Sequence, residues 1–430
     1  MPSTLLIKGG VAVDTDPVIS AVADVLTEDG RIAAVGPGLP VPEGAEVIDA
    51  RGMIVLPGFV DAHRHTWQAG IRAIGPDLTL PRYVERVIGE LAGAHRPEDV
   101  YAGNLAGALE CLDAGVTTLV DWSHVQLTPE HTAAAVEALR HSGIRAVFGY
   151  CYGGPGRPGA LAAAGRRVHE EHFGSSGGLV TMAIAALGPE FAGEEHALRE
   201  WRLARELGLP LTVHMGGLDP ERARWGLEFL EREGLLIPGT NYAHGNHYSD
   251  EALKRIAGSG GGISVSPVVE AELGFGIPVT GRALAAGAPA GLGGDTVVSG
   301  PGDMFSLMRA AYALERARPN LGFTTRDVLR AATLEGARLA GLGDAAGSLG
   351  LGRHADLVLL RTDLLGMAPA HDPVGAVVLS ADTRAVDTVI VAGRVVKRHG
   401  RLLHHVVQDV LAPLAASAAR LAATPRARAV

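Results

Sequence analysis

Apolar positions along this chain follow two different periods, and the change from one to the other divides it into three stretches. Up to about residue 53, short apolar runs alternate with turns: Leu5-Leu6-Ile7, Gly9-Gly10, Val11-Ala12-Val13 and, further on, Ile32-Ala33-Ala34-Val35. This is the pattern of short β-strands. From Ile54 to about Gly294, short apolar runs alternate with longer stretches of helical period. The runs are 54–62, 116–120, 144–150, 180–186, 210–213, 240–243, 262–265 and 290–292. Eight strands separated by helices predict an α/β fold, a (β/α)8 TIM barrel on a parallel sheet.

After Asp303 the chain reads as helix, with Thr324-Thr325-Arg326-Asp327 as a cap for an Ala/Leu-rich segment. Strand character returns at 356–360 and at 389–392. Those late strands need partners, and the N-terminal strands can supply them. The expected topology is therefore a barrel over residues 56–345, inserted into a small composite β-sandwich made from residues 1–55 and 346–430. From about His405 the chain reads as a helix interrupted by Pro413, and the Pro425-Arg426-Ala427-Arg428 tail is expected to fray.

A hydrophobic content of 47% provides for a sizeable core. The net charge of -9 argues against nucleic acid or an anionic membrane as partner. Two cysteines, Cys111 and Cys151, exclude a disulfide framework and a Cys-rich zinc module. The start, Met1-Pro2-Ser3-Thr4, has no basic-then-apolar leader, and no apolar run is long enough to cross a bilayer. A cytoplasmic location is the expectation.

Chemistry enters where the strands end. Active sites of barrels lie at the C-terminal ends of the strands. The first apolar run delivers His63-Arg64-His65, and side chains at i and i+2 of a strand share a face. His63 and His65 can thus converge on one point, with Arg64 directed away. The second strand ends Asp121-Trp122-Ser123-His124, the fifth Val213-His214, the sixth Ala243-His244 and the eighth Gly294-Asp295. Taken alone, His124 reads equally as a hydrogen-bonded structural residue and Asp295 as a helix cap. Taken together, histidines and an aspartate from strands one, five, six and eight can meet above the barrel mouth as a metal site.

These residues resemble those of the amidohydrolase superfamily, in particular its mononuclear branch of cytosine-deaminase-like and triazine-hydrolase-like enzymes. The likeness runs nearly end to end. It rests on Pro57-Gly58 followed by His63-x-His65, on the later His, His and Asp in order, and on Gly347-Ser348-Leu349…Ala355-Asp356-Leu357-Val358. Val389 to Val396 with Ala392-Gly393-Arg394 is similar to the family's closing β elements. The resemblance implies a distorted barrel with a composite β-sandwich, and a homodimer or higher homo-oligomer. Its cofactor would be one divalent metal ion, zinc ahead of iron, held by His63, His65, His214 and Asp295. Binuclear relatives bridge two ions with a carboxylated lysine on strand four. The only lysines here are Lys8, Lys254 and Lys397, which leaves a single-ion site.

Such an ion lowers the pKa of its water from about 15.7 towards 7. Asp295 would then act as general base, and His244 would polarise the substrate or the attacking water. In deaminases of this branch a Glu three residues after the strand-five His returns the proton to the leaving amine; here that position is Gly217. Glu270, expected to overhang the mouth after strand seven, is the first candidate to replace it, followed by His124 and His247, with Glu190 also in view. Trp67, Trp122, Tyr150, Tyr152 and Phe275 would line the mouth and sandwich a flat ring. The expected function is hydrolysis of a non-peptide C–N bond through a metal-bound hydroxide, by deamination or ring amide/amidine hydrolysis of a small nitrogen heterocycle. The alternatives are displacement of another leaving group or opening of a cyclic amide or lactone, which Gly217 favours, and a metal-free binding protein that keeps the fold.

Overall fold

The computed structural model of the protein describes residues 4–152, 161–175, 177–319 and 322–425. Strands β1 (Thr4–Thr15), β2 (Val18–Glu28) and β3 (Arg31–Gly36) form an antiparallel meander, while β4 (Glu46–Asp49) and β5 (Met53–Pro57) pair parallel to β1. A bulge between Ile7 and Gly10, with Gly9 at φ 76°, bends β1 so that its first half pairs with β4 and its second with β5.

The barrel strands are β6 (Phe59–Arg64), β7 (Val116–Ser123), β8 (Arg145–Tyr150) and β9 (Val180–Ala186), then β10 (Leu211–Met215), β11 (Asn241–His244), β12 (Gly262–Val265) and β13 (Ala290–Leu292). Each is parallel to the next, as expected from the alternation of strand and helix. The chain then returns to the first sheet as β14 (Leu357–Arg361), β15 (Val386–Val391), β16 (Arg394–Arg398) and β17 (Arg401–Leu402). β14 pairs antiparallel with β5, so the two chain ends meet in one nine-stranded sheet, curled around Leu5, Ile7, Val25, Ile48, Val55, Leu357 and Ile390.

One expected strand is in fact two. The run 54–62 divides at Gly58: β5 belongs to the nine-stranded sheet and β6 opens the barrel. The Gly58 N–H donates to the Asp356 carbonyl at 2.9 Å, and a Cβ at Gly58 would lie 2.1 Å from Thr117 Oγ1. Only a glycine lets the chain pass from one sheet to the other here. The terminal helix also differs from expectation. It runs unbroken over Val407–Ala422 with Pro413 inside, where water can satisfy the carbonyl freed by the missing N–H, because that face is exposed. Residues 426–428 of the expected frayed tail lie outside the described residues.

The barrel closes between β6 and β13 through one backbone pair. The Asp295 N–H donates to the His63 carbonyl at 2.8 Å, and the His65 N–H to the Asp295 carbonyl at 2.7 Å. Asp295 therefore sits in the seam, at φ 52°, and caps no helix; the helix Met304–Arg316 is capped by Asp303, whose Oδ1 accepts from Ser306 N–H at 2.9 Å. Arg64 turns away from its neighbouring histidines, as strand alternation requires. Its buried guanidinium donates to Asp61 at 3.3 Å, the Gly302 carbonyl at 3.1 Å and Glu110 at 2.6 Å. Among the described residues, no helix is long and apolar enough to cross a membrane.

Candidate active site

The strand ends converge as their positions in the sequence imply. His63 Nε2 lies 3.2 Å from His214 Nε2 and 3.5 Å from Asp295 Oδ1, and His65 Nε2 lies 3.1 Å from the same oxygen. His63, His65 and His214 form one group whose donor atoms all lie within 4.8 Å of one another; His63, His244 and Asp295 form a second. His65 Nδ1 donates to the Trp122 carbonyl at 2.8 Å. A carbonyl can only accept, so Nδ1 carries a proton and Nε2 is the ring nitrogen that faces the cluster.

Burial sets the charge state. It draws His63 down to about 4 against the pull of Asp295, and it draws His214 well below the usual imidazole value, with the neighbouring imidazoles adding to the effect. Burial alone would raise the Asp295 carboxyl, but the neighbouring His63 and His65 rings hold it well below the ordinary carboxylate value. The result is neutral His63 and His214 rings and an anionic carboxylate aimed at one point. His63 Nε2 and His214 Nε2, 3.2 Å apart, bond to each other only if one of them carries the proton; with both unprotonated they need something positive near both. A borderline nitrogen-and-oxygen donor set of this kind suits a divalent transition ion.

His244 is held differently. Its Nδ1 lies 3.3 Å from Glu270 Oε1, and its ring stacks on Phe275 (centroids 4.5 Å, planes 24° apart) and on His214 (5.3 Å, 10°). Burial pulls this imidazole down, but Glu270, Asp295 and Glu190 together hold it above its ordinary value. Its φ of 86° lies in the left-handed region, a strained setting for a non-glycine residue. Asp295 shares that trait, so two of the converging side chains are presented from strained backbone.

Several expected residues occupy other places. Glu270 does not overhang the mouth; it is fully buried behind His244, and its carboxylate also accepts from Ser266 N–H at 2.7 Å and Asn246 Nδ2 at 2.9 Å. The turn into the helix Pro267–Leu273 folds its side chain inward rather than over the opening. Trp67 is fully buried beneath the helix Pro97–Asp113 and meets His95 edge-on, with its ring centroid 6.1 Å from that of His124. Trp122 is also fully buried but touches the cluster, with its ring centroid 4.0 Å from that of His214. His124 lies 4.4 Å from His65 and is pushed well below its ordinary value by burial. His247 is half-buried and anchored by its backbone N–H to the Gly216 carbonyl at 2.8 Å. Tyr150 and Tyr152 stack on each other, and Tyr152 also on His196. Glu190 accepts from Gly216 N–H at 2.9 Å, and burial raises its carboxyl to about 7. Burial pushes the Cys151 thiol well above its ordinary value, which leaves it without nucleophilic character.

The opening left by the missing Glu is filled. The Gly217 backbone is not left-handed, so conformation does not demand glycine there; space does. A Cβ at 217 would come within 2.6 Å and 2.8 Å of two Phe275 ring carbons and 3.4 Å of the His244 Cβ. Gly217→Ala is expected to destabilise the fold by about 1–3 kcal/mol through overpacking. Much of that loss should be recovered in Gly217→Ala/Phe275→Ala relative to Phe275→Ala alone, as unfolding midpoints of the four proteins would show.

Asp61 stands two residues before His63 and carries no expectation from the sequence pattern. Its Oδ1 accepts from His63 N–H at 3.3 Å and Gly294 N–H at 3.0 Å, tying the two closing strands together. The strand is irregular between Asp61 and Arg64, which lets Asp61 reach the Arg64 guanidinium as well.

Comparison with known proteins agrees with this geometry. A family model described as the amidohydrolase family matches residues 54–396. A 5-methylthioadenosine/S-adenosylhomocysteine deaminase of Desulforudis audaxviator is 32% identical over 93% of this chain and 94% of its own length. A 5'-deoxyadenosine deaminase of Methanothermobacter thermautotrophicus is 30% identical over 88% and 90%. Among solved structures, a zinc-bound adenosine deaminase from Xanthomonas campestris superposes with a TM-score of 0.88 at 24% identity, covering 97% of this chain and 98% of that one. The zinc complex of atrazine chlorohydrolase from Arthrobacter aurescens gives 0.87 at 23% identity, covering 96% and 100%. From the matched residues, the strand order and the converging His and Asp side chains together, the chain belongs to the amidohydrolase family.

Proposed function

We propose that this protein hydrolyses a C–N bond of a nitrogen heterocycle, releasing ammonia from an amino-substituted ring of the purine type. The observation that carries the reading is the convergence of His63, His65, His214 and Asp295 on one point beside His244. The full-length likeness to deaminases of adenosine derivatives supports the substrate class. His63, His65, His214 and Asp295 would hold a single divalent ion, zinc ahead of iron, and no lysine lies in or near β9 to bridge a second. When bound, such an ion supplies a water acid enough to be deprotonated at neutral pH.

The chain's own residues do the rest. The Asp295 carboxylate, anionic and fixed by its backbone pairing with β6, accepts a proton from the attacking water. His244 stands where it can stabilise negative charge growing on the attacked ring. Trp122 and Phe275 seal the histidine rings from bulk water, which strengthens each of these interactions.

A second reading has one observation in its favour. Glycine at 217 offers no acid to a leaving group, and Phe275 fills the space beside it. A group that leaves without a proton, or a cyclic amide that stays attached after opening, would suit such a site. Ammonia release from aminopurine nucleosides, free aminopurines, aminopyrimidines and aminotriazines, run beside ring opening of cyclic amides, separates the two. Turnover of an amine with about one equivalent of bound metal is expected. Silence across the amines with turnover of a cyclic amide would establish the second reading, and protein without metal that zinc or iron fails to activate would exclude both.

A further inference from the structure

The geometry points to Glu270 as the positioning residue that makes His244 the proton carrier to the leaving amine, in place of a side chain at 217. This rests on the deaminase reading above. Three observations carry it. Phe275 occupies the space that a side chain at position 217 would take. The same ring lies on His244 and, with His214, fixes the plane of its imidazole. The buried Glu270 carboxylate faces His244 Nδ1 at 3.3 Å and is itself held by Ser266 N–H and Asn246 Nδ2.

A carboxylate so held accepts the Nδ1–H and leaves the other ring nitrogen, Nε2, turned towards the cluster, where His244 shares a donor group with His63 and Asp295. The proton balance then closes without a further acid. Water gives one proton to Asp295 as its oxygen bonds to the ring carbon. Asp295 passes that proton to His244 Nε2, and the imidazolium so formed is stabilised by Glu270 through Nδ1–H, as in other carboxylate–histidine pairs. His244 Nε2 then gives the proton to the departing nitrogen as the C–N bond breaks. Ring amine and water yield ring oxo (or hydroxy) product and ammonia.

The test compares wild type with Glu270→Gln and Glu270→Asp on an aminopurine and on the same ring carrying chloride, a group that leaves without a proton. Metal content and the imidazole nitrogen spectrum of His244 are measured in parallel. Glu270→Gln is expected to keep its metal and to lose about 10²-fold or more in ammonia release. Chloride displacement should change far less, and Glu270→Asp should recover part of the amine rate. Equal loss on both substrates would reduce Glu270 to a structural role and overturn the inference. So would a wild-type His244 protonated on Nε2 rather than Nδ1, a measurement that stands even if Glu270→Gln fails to fold. Absence of any amine turnover by wild type counts against the deaminase reading itself, whereas the His244 spectrum reports on Glu270 alone.

Discussion

Asp295→Asn is expected to lower turnover by about 10²–10⁴-fold or more while the protein still folds. Asn matches Asp in shape and tolerates the left-handed φ of 52° that this position adopts. The backbone pair that closes the barrel is therefore retained. What disappears is the anionic oxygen lying 3.1 Å from His65 Nε2 and 3.5 Å from His63 Nε2. With it go the acceptor for the water proton and the one negative charge among the proposed metal ligands. Metal affinity should fall as well, so rates have to be measured at saturating zinc alongside bound-metal analysis. An unfolding midpoint close to wild type with turnover gone would confirm the role; near wild-type turnover at full metal occupancy would refute it.

Arg64→Met carries the largest expected cost in stability, about 3–5 kcal/mol, because it strands a buried charge. The Arg64 guanidinium is only 2% exposed and bridges Asp61, Glu110 and the Gly302 carbonyl. Glu110 keeps a second partner in Arg72 at 2.7 Å, but Asp61 is left without its cation. Asp61 holds the amides of His63 and Gly294, so the damage reaches the segments that present His63 and Asp295. Denaturant unfolding measures the loss directly. Asp61→Leu/Arg64→Met should be less destabilised than the sum of the two single changes, since removing both charges avoids the unpaired one. A loss below about 1 kcal/mol in Arg64→Met would mean that the cluster is hydrated and not a structural tie.

The barrel was legible because its parallel strands are buried on both faces and read as unbroken apolar runs. The runs at 180–186, 262–265 and 290–292 coincide with β9, β12 and β13. The edge sheet was less so: β2, with Val18 and Val22 exposed, and the short β4 carry no strong alternation, and β16 and β17 are likewise brief. The split at Gly58 had no hydrophobic signature, since it depends on the approach of Thr117 from a distant strand. The converging His and Asp residues were legible from their positions at strand ends. The placements of Glu270 and Trp67 were not, because strand–helix loops decide whether a side chain turns inward or outward, and no periodicity governs them. Gly217 could be named in the sequence, but that Phe275 fills its place follows only from contacts across the mouth.

The closure of the barrel has a thermodynamic consequence. The amides of His65 and Asp295 are bonded across the β6–β13 seam, and the side chains of those same residues belong to the cluster suited to a cation. Opening the seam and dispersing the donor set are then one event. A cation bound only to the closed form stabilises it by RT ln(1 + [L]/Kd), about 2.7 kcal/mol at a concentration of 100 Kd. Amide hydrogen exchange at His65 and Asp295 thus becomes a gauge of cation affinity that requires no substrate.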